Sequence, residues 1–258
     1  MEFPYPNNDD KVVRNSYTKL CKYAPEKFSV NSRPGMKVIE QFHKSIWNAN
    51  KYNRKSPYDA WNDDELLKRC IDNRVIYKGT DLYPSKVLSG FSYSGIAPKV
   101  SVFNPYLAKY LTWKYLNQYN TVFDPFSGYS GRMLGVCSLG KRYIGQDING
   151  VTVSESNHIK QFLNLDATIS VADTITSTGS YDCVLTCPPY GDKETWGMKI
   201  ENFSCDDWIN IVLTNYKCKS YLFVVDETEK YKDNIVETIV NKSHFGTNEE
   251  KIILITKN

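Results

Sequence analysis

Three carboxylates and one thiol, each at the end of a short apolar run, are the residues of this 258-residue chain whose types and spacing can do chemistry. Thr121 to Gly131 (TVFDPFSGYSG) delivers Asp124, Pro125, Phe126 and Ser127 into a loop that carries Gly128 and Gly131. Glycines there allow tight turning and close approach of backbone to a ligand. Arg132, Met133, Leu134, Val136 and Leu139 then read as a helix whose N-terminus faces that ligand. The Gly-Lys-Ser/Thr ending of a phosphate loop is absent, because Arg132 follows Gly131. An acidic residue before such a turn can also serve merely as a helix cap. About twenty residues on, Lys141 to Asp147 reads as a second strand ending in a carboxylate, a spacing that suits both hydroxyls of an adenosine ribose. Ile148 follows it into the same pocket, and a third strand, Thr168 to Ala172, ends at Asp173, whose side chain can meet an adenine. Taken singly, Asp147 and Asp173 can equally begin turns.

The thiol lies in the fourth such element. Tyr181 to Thr186 runs into Cys187-Pro188-Pro189-Tyr190. Two prolines after a strand hold the backbone extended and remove its amide donors, so the segment offers acceptors only. The exocyclic amine of a nucleobase is a poor nucleophile because its lone pair is delocalised into the ring. A methylating site must therefore accept both N–H groups and help the nitrogen become pyramidal. The Cys187 side chain and the Pro188 carbonyl can accept, and Tyr190 can stack on the base. Pro-Pro-Tyr alone is common in loops and in Pro-rich ligands. At the end of a fourth strand, about sixty residues after an Asp-Pro-Phe-x-Gly loop, it is a specific combination.

Over residues 100–258 these motifs resemble the amino-methyltransferases that use S-adenosylmethionine to methylate DNA at adenine N6 or cytosine N4. The resemblance implies that Asp124 to Gly128 is the cofactor motif and that Cys187 to Tyr190 is catalytic. Phe103-Asn104-Pro105 resembles the family segment that packs on the methionine part of the cofactor. Position 187 is Cys where the family has Ser, Asn or Asp, and a thiol is the weaker hydrogen-bond acceptor. The Cys form stands nearer the Ser form, which accompanies cytosine N4 in that family. The class implies base flipping in double-stranded DNA and a link to restriction–modification or phage DNA protection.

The elements that must position these residues set the rest. Four strands with intervening helices, followed by Ser204 to Asn215 as a helix, Tyr221 to Val225 as a strand, Lys230 to Val240 as a helix and Lys251 to Thr256 as a final strand, predict an α/β fold. It is a doubly wound, Rossmann-like, mainly parallel sheet with an antiparallel strand near its end. Only 68 residues follow Tyr190, so a C-terminal recognition domain does not fit. We therefore divide the chain into a mostly helical N-terminal extension, 1–96, and a methyltransferase domain, 97–258. In the extension, Lys37 to Asn48 has helical spacing, Ser56-Pro57 opens a second helix that Asp63 to Ile71 continues, and 81–101 reads as loop. Residues 1–100 hold 17 Lys and Arg against 11 Asp and Glu (+6), and residues 101–258 hold 15 against 18 (−3). That asymmetry suits a polyanion-binding extension, although a solvated helical surface gives similar numbers. Lys51, Arg54 and Lys55, interleaved with Tyr52, form a basic loop able to follow a phosphate backbone, and such contacts position rather than specify. Trp196, in the polar loop after the catalytic motif, either walls the base pocket or anchors its loop.

Composition narrows the class further. Apolar residues at 41% support a packed interior, and no apolar run reaches the length of a membrane span. The opening residues carry no secretion signal, which predicts a cytoplasmic protein. Seven cysteines without a C-x-x-C pair read as reduced thiols, and scattered His43, His158 and His244 give no zinc pattern, so no metal is expected. A monomer or weak dimer is expected. Competing readings are methylation of RNA or of a protein amide, and a non-catalytic DNA-binding subunit with a degenerate methyltransferase fold. Cys187 as the nucleophile of cytosine C5 methylation is a further rival, but the chain lacks the Pro-Cys order of that class.

Overall fold

Parallel strands buried on both faces read as near-continuous apolar runs, and the central pair, Thr121–Asp124 and Cys183–Thr186, is buried along almost its whole length. The computed structural model describes residues 2–51, 53–79, 82–189, 194–195, 203–243 and 246–257. Seven strands form one sheet: β1 Thr121–Asp124, β2 Arg142–Asp147, β3 Ala167–Val171, β4 Cys183–Thr186, β5 Ser220–Val225, β6 Ile235–Ser243 and β7 Gly246–Thr256. Their order across the sheet is β3-β2-β1-β4-β5-β7-β6, and β7 alone runs antiparallel to both its neighbours. This is the doubly wound, Rossmann-like sheet that the sequence predicts, including the antiparallel strand near its end.

Chain connections put helices on both faces. The chain is a larger unit, residues 8–43, 102–190 and 203–258, and a smaller one, residues 1–7, 44–101 and 191–202. In the larger unit the helices are α1 Asp10–Lys22, α2 Met36–Phe42, α6 Pro105–Tyr115, α7 Gly131–Cys137, α8 Gly150–Leu163 and α9 Cys205–Asn215. From β1 the chain moves outward through α7 to β2 and through α8 to β3, whereas from β4 it moves the other way through α9 to β5. Right-handed crossovers in opposite directions place α7 and α8 on one face and α9 on the other. Phe123, Val184, Tyr221, Phe223 and Val225 pack with Ile209 and Val212 of α9. Their strand neighbours Val122, Leu185, Leu222 and Val224 are fully or almost fully buried on the opposite face.

Residues 8–43, expected to belong to the N-terminal extension, fold instead with the sheet. The cause is visible in three residues of α6 and its N-cap. The buried Lys109 donates to the carbonyls of Leu20, Cys21 and Tyr23 at the end of α1, each at 2.8 Å. Tyr106 donates to the Ala24 carbonyl at 2.6 Å, and Asn104 to that of Ser32 at 3.0 Å. The lysine thus satisfies the carbonyls that a helix end leaves open.

The smaller unit has its own core. Its helices are α3 Pro57–Trp61, α4 Asp64–Lys78 and α5 Pro84–Tyr93. Trp61, Cys70, Val87, Leu88, Phe91 and Phe3 pack together, and Phe3 meets the rings of Tyr58 at 5.3 Å and Trp61 at 5.8 Å. Ser56 and Asp63 cap α3 and α4 with their side chains. Asn50 and Lys51 pair antiparallel with Thr195 and Glu194.

Three local expectations fail. The 84–93 segment, read as loop, is a helix, because Pro84 supplies its first turn and Val87, Leu88 and Phe91 share one buried face. The helix expected over 37–48 ends at Phe42, and a 3₁₀ turn, Lys44–Trp47, follows the break at His43. The helix expected over 230–240 is a 3₁₀ turn and the strand β6, where β-branched Ile235, Val236, Thr238, Ile239 and Val240 favour a pleated surface.

Candidate functional site

The sheet order reverses between β1 and β4, which are adjacent and parallel, with Phe123 opposite Val184. Ligands of doubly wound sheets bind in the crevice that such a reversal opens at the carboxyl ends of the strands. Here β1 ends at Asp124 and β4 ends immediately before Cys187. The two motifs recognised in the sequence therefore leave adjacent strands on the same edge.

A single buried carboxylate ties them together. Asp124 is fully buried and accepts four hydrogen bonds. Oδ1 takes the Phe126 amide at 3.2 Å and the Thr186 hydroxyl at 2.7 Å. Oδ2 takes Arg132 Nε at 2.6 Å and the Tyr143 hydroxyl at 2.7 Å. The carboxylate is saturated from within, so it shapes the loop and does not turn outward to a ligand. Arg132 also donates to the Phe126 carbonyl. Burial works against the Arg132 charge, but Asp124, Cys187 and Tyr143 more than offset it, and the guanidinium is held above its ordinary value. Burial, with Asp124 next in effect, pushes the Tyr143 phenol up and keeps it a donor. Arg132, Tyr143 and Thr186 are the site residues that sequence reasoning missed. Their signal was faint, a basic residue eight positions after the strand-end carboxylate and two hydroxyls inside neighbouring strands.

The two loop glycines have different tasks. Gly128 has a φ of 52°, in the left-handed region. A Cβ on Gly131 would lie 2.1 Å from the Phe103 carbonyl oxygen, so this glycine admits the 103–105 segment rather than a ligand. That segment lies along the loop: the Arg132 guanidinium sits 4.9 Å from the Phe103 ring centre, Asn104 caps α6 through the Tyr106 amide at 2.9 Å, and Pro105 is its first residue. The Pro125 carbonyl accepts from Thr174 at 2.6 Å, and Phe126 meets Trp208 of α9 at 5.1 Å.

Asp147 is half-buried and holds the loop from β2. One oxygen accepts from the Gly128 amide at 2.8 Å and the other from the Asn149 amide at 2.9 Å. Burial raises its pKa against these two bonds. Each oxygen keeps a second acceptor position. Ile148 beside it is 53% exposed. Asp173 closes a turn by accepting from the Ile175 amide at 2.9 Å. Ser127 is buried, and among the described residues its hydroxyl has no hydrogen-bond partner, an orphan of the kind a bound ligand satisfies.

Cys187 is half-buried, Pro188 is buried and Pro189 half-buried. Tyr190 and Trp196 lie outside the described residues. Lys51, Arg54 and Lys55 belong to the smaller unit. Lys51 donates to Ser101 at 2.6 Å, Arg54 to the Gly95 carbonyl, and Lys55 pairs with Asp63 at 2.6 Å. Among the described residues no group of three His, Cys, Asp or Glu side chains is placed to hold a metal ion, and no helix is long and apolar enough to cross a membrane.

No family model and no curated protein matches the chain. Among solved structures it is similar to protein 1320 of Thermoplasma acidophilum, at 16% identity over 59% of this chain and 89% of that one, with a TM-score of 0.45. Magnesium protoporphyrin IX methyltransferase from Synechocystis, solved with bound S-adenosylmethionine, matches at 12% identity over 78% and 94%, with a TM-score of 0.45. The tRNA (uracil-54, C5)-methyltransferase of Pyrococcus abyssi, in complex with S-adenosyl-L-homocysteine, matches at 18% over 61% and 41%, with a TM-score of 0.42. No score among these three reaches 0.5, and the fold is defined here by the chain's own strand order.

Proposed function

We propose that this chain transfers a methyl group from S-adenosylmethionine to the exocyclic amino group of a base in double-stranded DNA, with cytosine N4 favoured over adenine N6. The observation that carries the proposal is the Thr186–Asp124 hydrogen bond of 2.7 Å, which fastens the strand leading to Cys187-Pro188-Pro189 to the strand leading to the glycine loop. Acceptors for an amine and a nucleoside-sized cradle then share one edge of the sheet.

The residues present fit the cofactor. Asp147 keeps acceptor positions for the two ribose hydroxyls, exposed Ile148 offers an apolar face beside them, and the orphaned Ser127 hydroxyl lies in the same loop. When bound, S-adenosylmethionine supplies a methyl group already activated by a positively charged sulfur. The protein's share is to orient the amine, exclude water and accept its hydrogens. Pro188 and Pro189 lack amide hydrogens, so this segment presents carbonyl acceptors together with the Cys187 side chain. Direct displacement needs no covalent enzyme intermediate. Reaching the amine requires flipping the base at a cost of a few kcal/mol, and stacking on Tyr190 and Trp196 would recover part of it. Lys51, Arg54 and Lys55 are proposed to contact the phosphate backbone, and a role in restriction–modification or phage DNA protection accompanies this reading.

Purified protein incubated with methyl-labelled S-adenosylmethionine and either duplex DNA, single-stranded DNA or RNA tests the proposal. Label is expected in duplex DNA and retained with Cys187→Ser. Label in RNA alone would overturn the choice of substrate, and loss of all transfer in Cys187→Ser would point to a nucleophilic thiol.

A further inference from the structure

His43 has no part in the site described above, yet it is fully buried and both ring nitrogens are engaged. Nδ1 lies 3.0 Å from Glu155 Oε2 of α8, and Nε2 lies 2.8 Å from the Ser130 hydroxyl. Ser130 in turn lies 2.8 Å from the Ser156 hydroxyl, and the Tyr129 ring meets the imidazole edge-on at 5.4 Å. Serine, histidine and carboxylate in this order resemble a nucleophile, its base and an orienting group. Ser130 is only 1% exposed and His43 not at all, so no substrate reaches either, and acyl transfer is excluded.

The position of Ser130 shows what such a chain of bonds can do. It is the last residue before α7, at the end of the glycine loop, and its φ of 64° lies in the left-handed region that an L-residue enters at a cost. Non-glycine residues persist there when their surroundings over-determine them. The His43 and Ser156 contacts supply that constraint. The carboxylate of Glu155 accepts only, so Nδ1 carries a proton toward it, and Nε2 is left to pair with the Ser130 hydroxyl. Asp147 holds the loop at Gly128, and His43 holds it two residues later. α2 ends at Phe42 where this contact is made, which places the imidazole at the break.

We propose that His43 is a positioning residue that tethers the cofactor loop at Ser130 and sets the loop's shape for S-adenosylmethionine. The tether rests on the cofactor reading given under Proposed function, and two readouts separate the two. The first is hydrogen exchange of the loop amides 128–131 in the cofactor-free protein. The second is S-adenosylmethionine affinity by calorimetry, well below the unfolding temperature. In His43→Phe both should change by about tenfold or more, with faster loop exchange and weaker binding, as loss of buried hydrogen bonds on a single loop would give. His43→Gln should recover most of each, because its amide offers one donor and one acceptor. Ser130→Gly relieves the left-handed backbone and should keep the unfolding temperature while losing the tether, so it decides the matter if His43→Phe fails to fold. Unchanged loop exchange and unchanged affinity in Ser130→Gly would overturn the proposal. If the wild-type protein does not bind S-adenosylmethionine, the proposed function fails, and loop exchange in the same variants still decides for or against the tether.

Discussion

Replacing Asp124 by Asn removes one charge from a fully buried group of the site while changing almost no volume. Asn keeps one oxygen for the Phe126 amide and the Thr186 hydroxyl, but it turns an amino group toward Arg132 Nε and the Tyr143 hydroxyl, so donors face donors. The Arg132 side chain is 6% exposed and would lose the carboxylate that pairs with it. Breaking a buried ion pair by removing one partner costs about 3–5 kcal/mol, because the remaining charge is stranded. That is a large share of the roughly 5–15 kcal/mol by which a domain is stable. At about 2–4 °C per kcal/mol for a chain of this size, Asp124→Asn should lower Tm by roughly 6–20 °C. Thermal and urea unfolding followed by circular dichroism read this directly. The double variant Asp124→Leu, Arg132→Met should recover much of the loss, since both charges leave together. A loss below about 1 kcal/mol for Asp124→Asn, or independent effects of the two sites in a double-mutant cycle, would refute the closed hub.

The remaining predictions concern the loop, the sheet and the thiols. Asp147→Ala should weaken S-adenosylmethionine binding by about 1.5–3 kcal/mol in calorimetry, through loss of a charged acceptor for the ribose. Unchanged affinity would make Asp147 a loop brace alone. Gly131→Ala places a Cβ where the Phe103 carbonyl already sits, at 2.1 Å, and should destabilise the protein by about 1–3 kcal/mol in urea titrations. Burial raises the Glu237 pKa, but hydrogen bonds from Lys114, Tyr110 and Tyr115 outweigh it and hold the carboxyl below its ordinary 4.5. A depressed carboxyl stabilises above its unfolded pKa, so the stability lost in Glu237→Gln should be full at neutral pH and shrink as pH falls below 4.5. A difference that stays constant through acid pH would contradict this. Burial pushes the Cys70 and Cys218 thiols up to about 11 and that of Cys205 to about 12. A thiol reagent at mildly alkaline pH should therefore label exposed Cys21 before these three, which should react only on unfolding.

The centre of the sheet was legible because its strands are buried on both faces and read as apolar runs, as Tyr221 to Val225 does with every residue buried. Local pattern failed where a distant partner decides the conformation. The 230–240 segment carries charge at helix-like intervals, but as β6 it pairs with β7 and aims Glu237 at Tyr110, Lys114 and Tyr115 of α6. Residues 8–43 look like part of a basic extension until Lys109 gathers the last carbonyls of α1, a contact between positions more than eighty residues apart. The candidate site was legible as a set of strand ends, since Asp124, Asp147, Asp173 and Cys187 stand at or just after the ends of β1, β2, β3 and β4. Its internal wiring was not. The inward-facing role of Asp124 depends on Arg132, Tyr143 and Thr186 meeting in space, and that of Gly131 on the backbone of Phe103.

The central claim is that acceptors following β4 present an exocyclic amine for direct methylation beside a cofactor loop following β1. Mass spectrometry of nucleosides from duplex DNA treated with the protein and S-adenosylmethionine tests it most directly. N4-methylcytosine is the predicted product, and N6-methyladenine would change the base while leaving the mechanism intact. A 5-methylcytosine product, or DNA left unmodified by protein that binds the cofactor, would contradict it.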